Sequence, residues 1–145
     1  RAATVLDGQN MRQGISRDLG FTAEDRSENL RRSAEIARVI NDAGLICIGA
    51  FVAPSQLVRR KAAQVVGEDR FLVVYLSAPV DVCRERHSGG QYERADRGDI
   101  ANFPGVSSPY EVPDDADLVL PTHEWPVHQC VDAILKLLEE RDLIT

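Results

Sequence analysis

Two almost uninterrupted apolar runs, LICIGAFV at residues 45–52 and FLVVYL at 71–76, constrain the fold of this chain more than any other feature. Neither alternates apolar with polar, so each predicts a strand buried on both faces, as in a parallel sheet covered by helices. The segments around them carry the helical period. Thr22 suits a helix N-cap, Glu24 and Asp25 suit the first turn, and Leu30, Ala34, Ala37 and Ile40 share one stripe up to residue 42. Glu28 and Arg32 stand four apart as an ion pair, and Gly44 closes the helix. Pro54 and Ser55 open a second helix, with Leu57, Val58, Ala62, Val65 and Val66 expected inward. Residues 3–6 and 117–120 read as shorter strands, and residues 77–87 as a turn and short helix. Pro126 opens a last helix with Val127, Val131, Ile134 and Leu138 as its inner stripe. The expectation is a single α/β domain over residues 1–145 with a largely parallel sheet. Between 87 and 113 the periodicity dissolves into Gly, Pro, Ser, Asp and Tyr. So long a segment without an element of its own is expected to be a lid or substrate loop.

In parallel sheets ligands bind beyond the carboxyl ends of the strands. The first such end carries LDGQNMRQGISRDLGF, residues 6–21, with Asp7, Gln9, Asn10, Arg12 and Phe21, followed by Arg26 and Asn29. A carboxylate can hold Mg²⁺ through water or take a proton from a hydroxyl, and arginine offers planar paired donors to phosphate or sulfate. The same residues also serve as turn chemistry and surface charge, and residue type alone leaves both readings open. Phe103, in a loop with Arg94 and Arg97, suits stacking on a planar base or local packing. Trp125, the only tryptophan, suits covering an adenine or capping the last helix.

Charge narrows the partners. Residues 1–61 carry ten Lys and Arg against seven Asp and Glu, and the remainder seven against sixteen, for a net charge of −6. That balance argues against duplex nucleic acid but leaves the first half attractive to a small polyanion. No apolar run reaches the roughly 18 residues a membrane helix needs, and Asp7 interrupts any signal peptide. Cys47, Cys83 and Cys130 sit apart within apolar patterns, which predicts reduced core thiols in a cytoplasmic protein and no zinc site.

Taken in order, LDGQNMRQGISRDLGF, EDRSENLRRSAEIA, FVAPS, APVDVCRER, GGQYERADRGDIANFPGVSSPYE and LVLPTHEW resemble the adenylylsulfate (APS) kinase family from end to end. Within it, the chain is most similar to kinase domains fused to the large subunit of bacterial sulfate adenylyltransferase. The resemblance implies a P-loop NTPase-like three-layer domain that uses ATP and Mg²⁺. It implies transfer of the ATP γ-phosphate to the 3′-hydroxyl of APS, giving PAPS in cytoplasmic sulfate assimilation. By the same resemblance Asp7 is the catalytic carboxylate, and Gln9, Asn10, Arg12, Phe21, Arg26, Asn29, the backbone of Val52 and Ala53, and Phe103 bind APS. Arg84, Arg86, Trp125 and Cys130 fall at the ATP positions, and no side chain is a dedicated metal ligand.

Four departures qualify the likeness. The family usually reads Asp-Gly-Asp-Asn where this chain has Gln9, and an amide takes no proton at neutral pH, so any base or Mg²⁺-anchoring duty of that acid is unfilled or moves to Asp7. Gly89 replaces the lid lysine, with Gln91 for the usual leucine, and residues 53–56 read Ala-Pro-Ser-Gln for Ser-Pro-Tyr-Arg. Finally, no G-x-x-x-x-G-K-[ST] occurs, and in the family that phosphate-cradling loop precedes the first strand seen here. The expectations are that the N-terminal strand, P-loop and helix lie outside these residues and that residues 1–145 alone are inactive. A sheet edge left open would favour a homodimer. The rival reading, favoured by Gln9 and Gly89, is a catalytically silent APS- or PAPS-binding or regulatory domain of a fused sulfate adenylyltransferase.

Overall fold

Strand β1, Ala3–Asp7, pairs in parallel with β2, Ile46–Ala50, setting Val5 opposite Ile48 and Asp7 opposite Ala50. Strand β3, Val74–Leu76, pairs in parallel with β4, Leu118–Leu120. The computed structural model describes all of residues 1–145, with these as two separate two-stranded sheets. They fall in two compact units, one made of Arg1–Phe71 with Arg94–Val112, the other of Leu72–Glu93 with Pro113–Thr145.

In the first unit, β1 runs directly into α1, Gly8–Gln13, and the chain returns through α2, Ala23–Asp42, to β2 and then α3, Gln56–Val66. Helix α2 begins where its chemistry dictates: the Thr22 hydroxyl accepts from the Asp25 amide at 3.1 Å, with Glu24 and Asp25 in the first turn. It ends at Gly44, whose φ of +86° is the left-handed conformation that glycine adopts without strain. Ala34 on α2 meets Ala62 and Val66 on α3, with Leu30, Ala37, Val65 and Phe71 packed around them. The two alanines let the helices approach closely, so Ala62→Leu should overpack this seam. A loss of roughly 1–3 kcal/mol in urea-unfolding stability is expected, and an unchanged midpoint would show that the seam yields.

Two sequence expectations shift here. Ile48, Gly49 and Ala50 of β2 are exposed, Ile48 by 51%, where a strand buried on both faces was expected. With one neighbouring strand and α2 against it, β2 has a face that nothing in this unit covers. On α3, Leu57 points outward and Arg59, only 8% exposed, takes the interior place.

In the second unit, α4 spans Val80–Arg86 and α6 spans Val127–Glu140. The strand expected from residue 71 is shorter, because the Val73 amide donates to the Asp117 carboxylate at 2.8 Å instead of to a neighbouring strand. Arg141 binds the other Asp117 oxygen at 3.0 Å. Helix α6 is rotated from its expected phase: Cys130 and Leu137 are buried, while Val127 and Val131 face outward. The stretch 87–113 is also less featureless than its composition suggests, since Gln91–Asp96 forms a short helix, α5. All three cysteines are free, but only Cys130 is buried; Cys47 and Cys83 are half-buried, and burial pushes the Cys47 thiol pKa up. No helix is long and apolar enough to cross a membrane, and no group of three or more His, Cys, Asp or Glu could hold a metal ion.

Candidate active site

The first unit gathers its candidate residues around the carboxyl end of β1. Asp7 is still extended when α1 begins, and its Oδ1 accepts from the amides of Gln9 at 2.8 Å and Asn10 at 3.2 Å. It is therefore the N-cap of α1, which explains half of the Asp-Gly-Gln-Asn stretch by local chemistry. Gly8 explains another part: a Cβ there would lie 3.2 Å from the Phe51 ring, so the glycine lets α1 start tightly against β2's exit. The side chains of Gln9 and Asn10 are exposed, and the contribution they make here is through their amides.

Arg12 reaches back from α1, donating to Gly20 O at 3.3 Å and Gly8 O at 3.4 Å, with its guanidinium 4.6 Å from the centre of the Phe21 ring. Arg26, from the first turn of α2, approaches the same ring at 5.5 Å and donates to Phe21 O at 3.0 Å and Asn102 O at 3.5 Å. Arg12, Phe21 and Arg26 thus form one corner, joined to the residue before Phe103. Burial lowers the pKa of both guanidinium groups; Arg12 adds to the effect at Arg26, and Asp25 opposes it at Arg12. Both stay protonated at neutral pH. Their acceptors in these bonds are main-chain carbonyls, so two positive charges are oriented without a direct ion pair, with Asp25 offsetting part of the charge on Arg12. Such an arrangement suits an oxyanion beside an aromatic ring.

Asn29 stands behind this corner, 2% exposed, with its side-chain Oδ1 accepting no hydrogen bond and its carbonyl taken by the Ser33 hydroxyl at 2.8 Å. Phe103 is held by a tight turn in which its amide donates to the Ser107 hydroxyl at 2.8 Å and its carbonyl receives the amides of residues 106–108. Val52 is exposed, and Ala53 adopts a φ of +41°, a left-handed conformation that costs a residue with a side chain.

Sequence reasoning missed two supports of this site. Arg32 binds both oxygens of Asp18, at 2.6 and 2.9 Å, together with Ile15 O at 3.0 Å and Glu28 at 3.0 Å. That brace pins the loop between α1 and α2, of which only the Glu28–Arg32 pair was legible in the spacing. Hydrogen bonds from Arg32 hold the Asp18 carboxyl down to about 2, and bonds from Arg31 and then Arg32 do the same for Glu28. Because both folded-state values are depressed, the brace is complete above the ordinary carboxylate range and is lost as pH falls through about 2. Carboxyl-carbon NMR should show both groups titrating near 2, and Arg32→Ala should return Asp18 toward the ordinary range. An ordinary midpoint in the wild type would refute the brace. The second support is Arg59, whose place on the stripe with Ala62 and Val66 was a readable signal.

The second unit holds the remaining candidates. Arg84 stacks over Tyr92 at 5.3 Å, and His87 meets the same ring edge-on at 5.7 Å. Gly89 fits this cluster, since a Cβ there would come within 2.8 Å of the His87 ring nitrogen. Arg86 donates to Thr122 O at 2.8 Å and ties α4 to the segment leading to Trp125. Trp125 is half-buried with its amide on Pro121 O at 2.9 Å, and Cys130 is buried on α6.

Parallel strands joined by helices, with a carboxylate and an arginine–phenylalanine corner beyond the first strand, define an α/β protein with a candidate anion-binding site at a strand end. The solved APS kinase CysC of Mycobacterium tuberculosis, in complex with AMPPNP and APS, superposes with a TM-score of 0.88 at 35% identity, covering 95% of this chain and 80% of that one. The sequence profile of the family described as Adenylylsulphate kinase matches residues 1–121. An adenylyl-sulfate kinase of Paraburkholderia xenovorans is 47% identical over 93% of this chain and 75% of its own length. The bifunctional enzyme CysN/CysC of Rhodopirellula baltica is 51% identical over 99% of this chain, which spans only 22% of that protein. The chain belongs to the adenylylsulphate kinase family.

Proposed function

We propose that this chain supplies the APS side of an adenylyl-sulfate kinase, which moves the ATP γ-phosphate to the 3′-hydroxyl of APS and releases PAPS and ADP. The observation that carries the reading is the corner at Arg12, Phe21 and Arg26: two protonated arginines on one ring, beside the Phe103 turn, at the end of the strand that bears Asp7. The arginines receive the anionic part of APS, and Phe21 and Phe103 flank its adenine. Asn29 would meet APS by turning its unfilled, buried acceptor toward it, and the backbone of Val52 and Ala53 completes the wall. Asp7 spends Oδ1 on two amides, which leaves Oδ2 for the proton of the attacking hydroxyl or for a water of Mg²⁺. A single carboxylate oxygen fits Mg²⁺, which keeps several waters and takes the rest of its ligands from phosphate. When bound with ATP, the ion supplies charge neutralisation at the transferring phosphoryl group. In the second unit, taken by itself, Arg84, Arg86, Trp125 and Cys130 are the candidates for contacting ATP.

The 51% identity to a bifunctional enzyme supports a natural setting in which this kinase region is joined to a sulfate adenylyltransferase subunit; the enzyme is taken, as part of the same proposal, to work in the cytoplasm. The test is PAPS formation from APS, ATP and Mg²⁺. The natural polypeptide that carries these residues is expected to form PAPS. Residues 1–145 alone, whose sequence holds no G-x-x-x-x-G-K-[ST], are expected to bind APS without turnover. Binding without turnover in the natural polypeptide would instead identify a silent module, and no APS binding in either would refute the reading.

A further inference from the structure

Arg59 is a charged side chain with only 8% exposure, on the helix stripe that otherwise holds Ala62 and Val66. Its Nη1 donates to Ala53 O, and its Nη2 donates to Gln56 Oε1 at 2.8 Å and to Glu111 O at 2.6 Å. The guanidinium also lies 6.0 Å from the Tyr110 ring centre. Around it, the Glu111 amide donates to Pro54 O at 2.8 Å, and the Glu111 carboxylate accepts from the Gln56 amide at 3.1 Å. Two hydrogen bonds therefore join residues 54 and 56, where the chain leaves β2 and enters α3, directly to Glu111, and three more from Arg59 bridge Ala53 and Gln56 to the Glu111 carbonyl.

Stability alone explains this cluster poorly. The Nε of Arg59 has no acceptor, and a buried cation with an unmatched donor is a net cost that an apolar residue on the same stripe would not incur. What the cation does accomplish is geometric. It grips the carbonyl of Ala53, the residue held at φ +41°, and the same guanidinium grips the strand of loop that leads away from the Phe103 turn. Planar forked donors on separate nitrogens can serve carbonyls of two segments at fixed spacing, whereas a lysine must reach both from a single nitrogen.

We infer that Arg59 is a positioning residue for the acceptor substrate: it sets the Val52–Ala53 backbone and the 103–111 loop relative to one another, and so fixes APS affinity without touching APS. The inference rests on the proposed APS reading of that wall. It predicts an effect confined to one substrate, because the segments it joins lie on the APS side.

The test compares wild type, Arg59→Lys and Glu111→Ala in the natural polypeptide. Arg59→Lys should raise KM for APS about tenfold, the scale of one lost charge-assisted bond, with KM for ATP and kcat close to wild type. Amide exchange should show lost protection at Gln56 and Glu111. Glu111→Ala leaves the carbonyl that Arg59 grips and removes only the carboxylate on the Gln56 amide, so a smaller rise in KM for APS is expected. This variant keeps the question decidable should Arg59→Lys fail to fold. An unchanged KM for APS in either folded variant, or equal rises for APS and ATP, overturns the inference. A wild type that does not use APS at all refutes the function reading first, and the exchange data then decide the clamp separately.

Discussion

Asp7→Asn is expected to lower kcat for APS phosphorylation by roughly a thousandfold, within the range that a positioned base contributes, while KM for APS and thermal stability stay close to wild type. The separation is possible because the catalytic role proposed for Asp7 falls on the oxygen that its cap leaves free. Its Oδ1 caps α1 through the Gln9 and Asn10 amides, and an asparagine carbonyl accepts the same two bonds. Only the carboxylate chemistry is removed. Asp7→Ala loses the cap as well and should add a stability loss of about 1 kcal/mol. Steady-state kinetics with thermal unfolding on both variants distinguishes the roles. A kcat for Asp7→Asn near wild type would reduce Asp7 to a helix cap. Gln9→Asp is the companion measurement: the side chain is exposed, so adding an acid there should leave kcat little changed. A large rise would move the base to position 9.

Arg12→Ala is the second large effect. A guanidinium that is already aimed by Gly8 O and Gly20 O, and seated on Phe21, meets an anion without having to be reorganised. Charge-assisted hydrogen bonds are worth about 1.5–3 kcal/mol each, so kcat/KM for APS should fall about a hundredfold. Arg12→Lys keeps the charge but cannot span both carbonyls while stacking on the ring, and a loss of about tenfold is expected. KM for ATP should be unaffected in both. An equal loss for the two substrates would remove Arg12 from the APS wall, and would point to a general weakening of the Phe21 corner.

The parts of the site that were legible in the sequence are those fixed by short-range chemistry. Thr22 caps α2, Glu28 pairs with Arg32 and Gly44 ends the helix, because each choice depends on neighbours a few residues away. The short strand before Asp7 and the resemblance carried by LDGQNMRQGISRDLGF have the same local origin. What local pattern did not fix was phase. Val127 and Val131 are as apolar as any inner stripe requires, yet α6 turns Cys130 and Leu137 inward, since the face a helix buries is chosen by what it packs against. The reading of α3 failed for a different reason. Arg59 is charged, and charge argues for the surface unless acceptors from distant segments are in place.

Those acceptors mark the division between the two sources of information. Sequence alone determined the α/β class, the family, and the residue types at the end of β1, because periodicity, caps and motif order are properties of adjacent residues. Only the tertiary structure decided that Arg12 and Arg26 share the ring of Phe21, and that Arg26 reaches Asn102, 76 positions away. It also decided that a buried Arg59 joins Ala53 to Glu111. The physical reason is that a guanidinium becomes a substrate-binding group or a clamp through where its partners stand, and folding alone brings partners so far apart in the chain within hydrogen-bond reach.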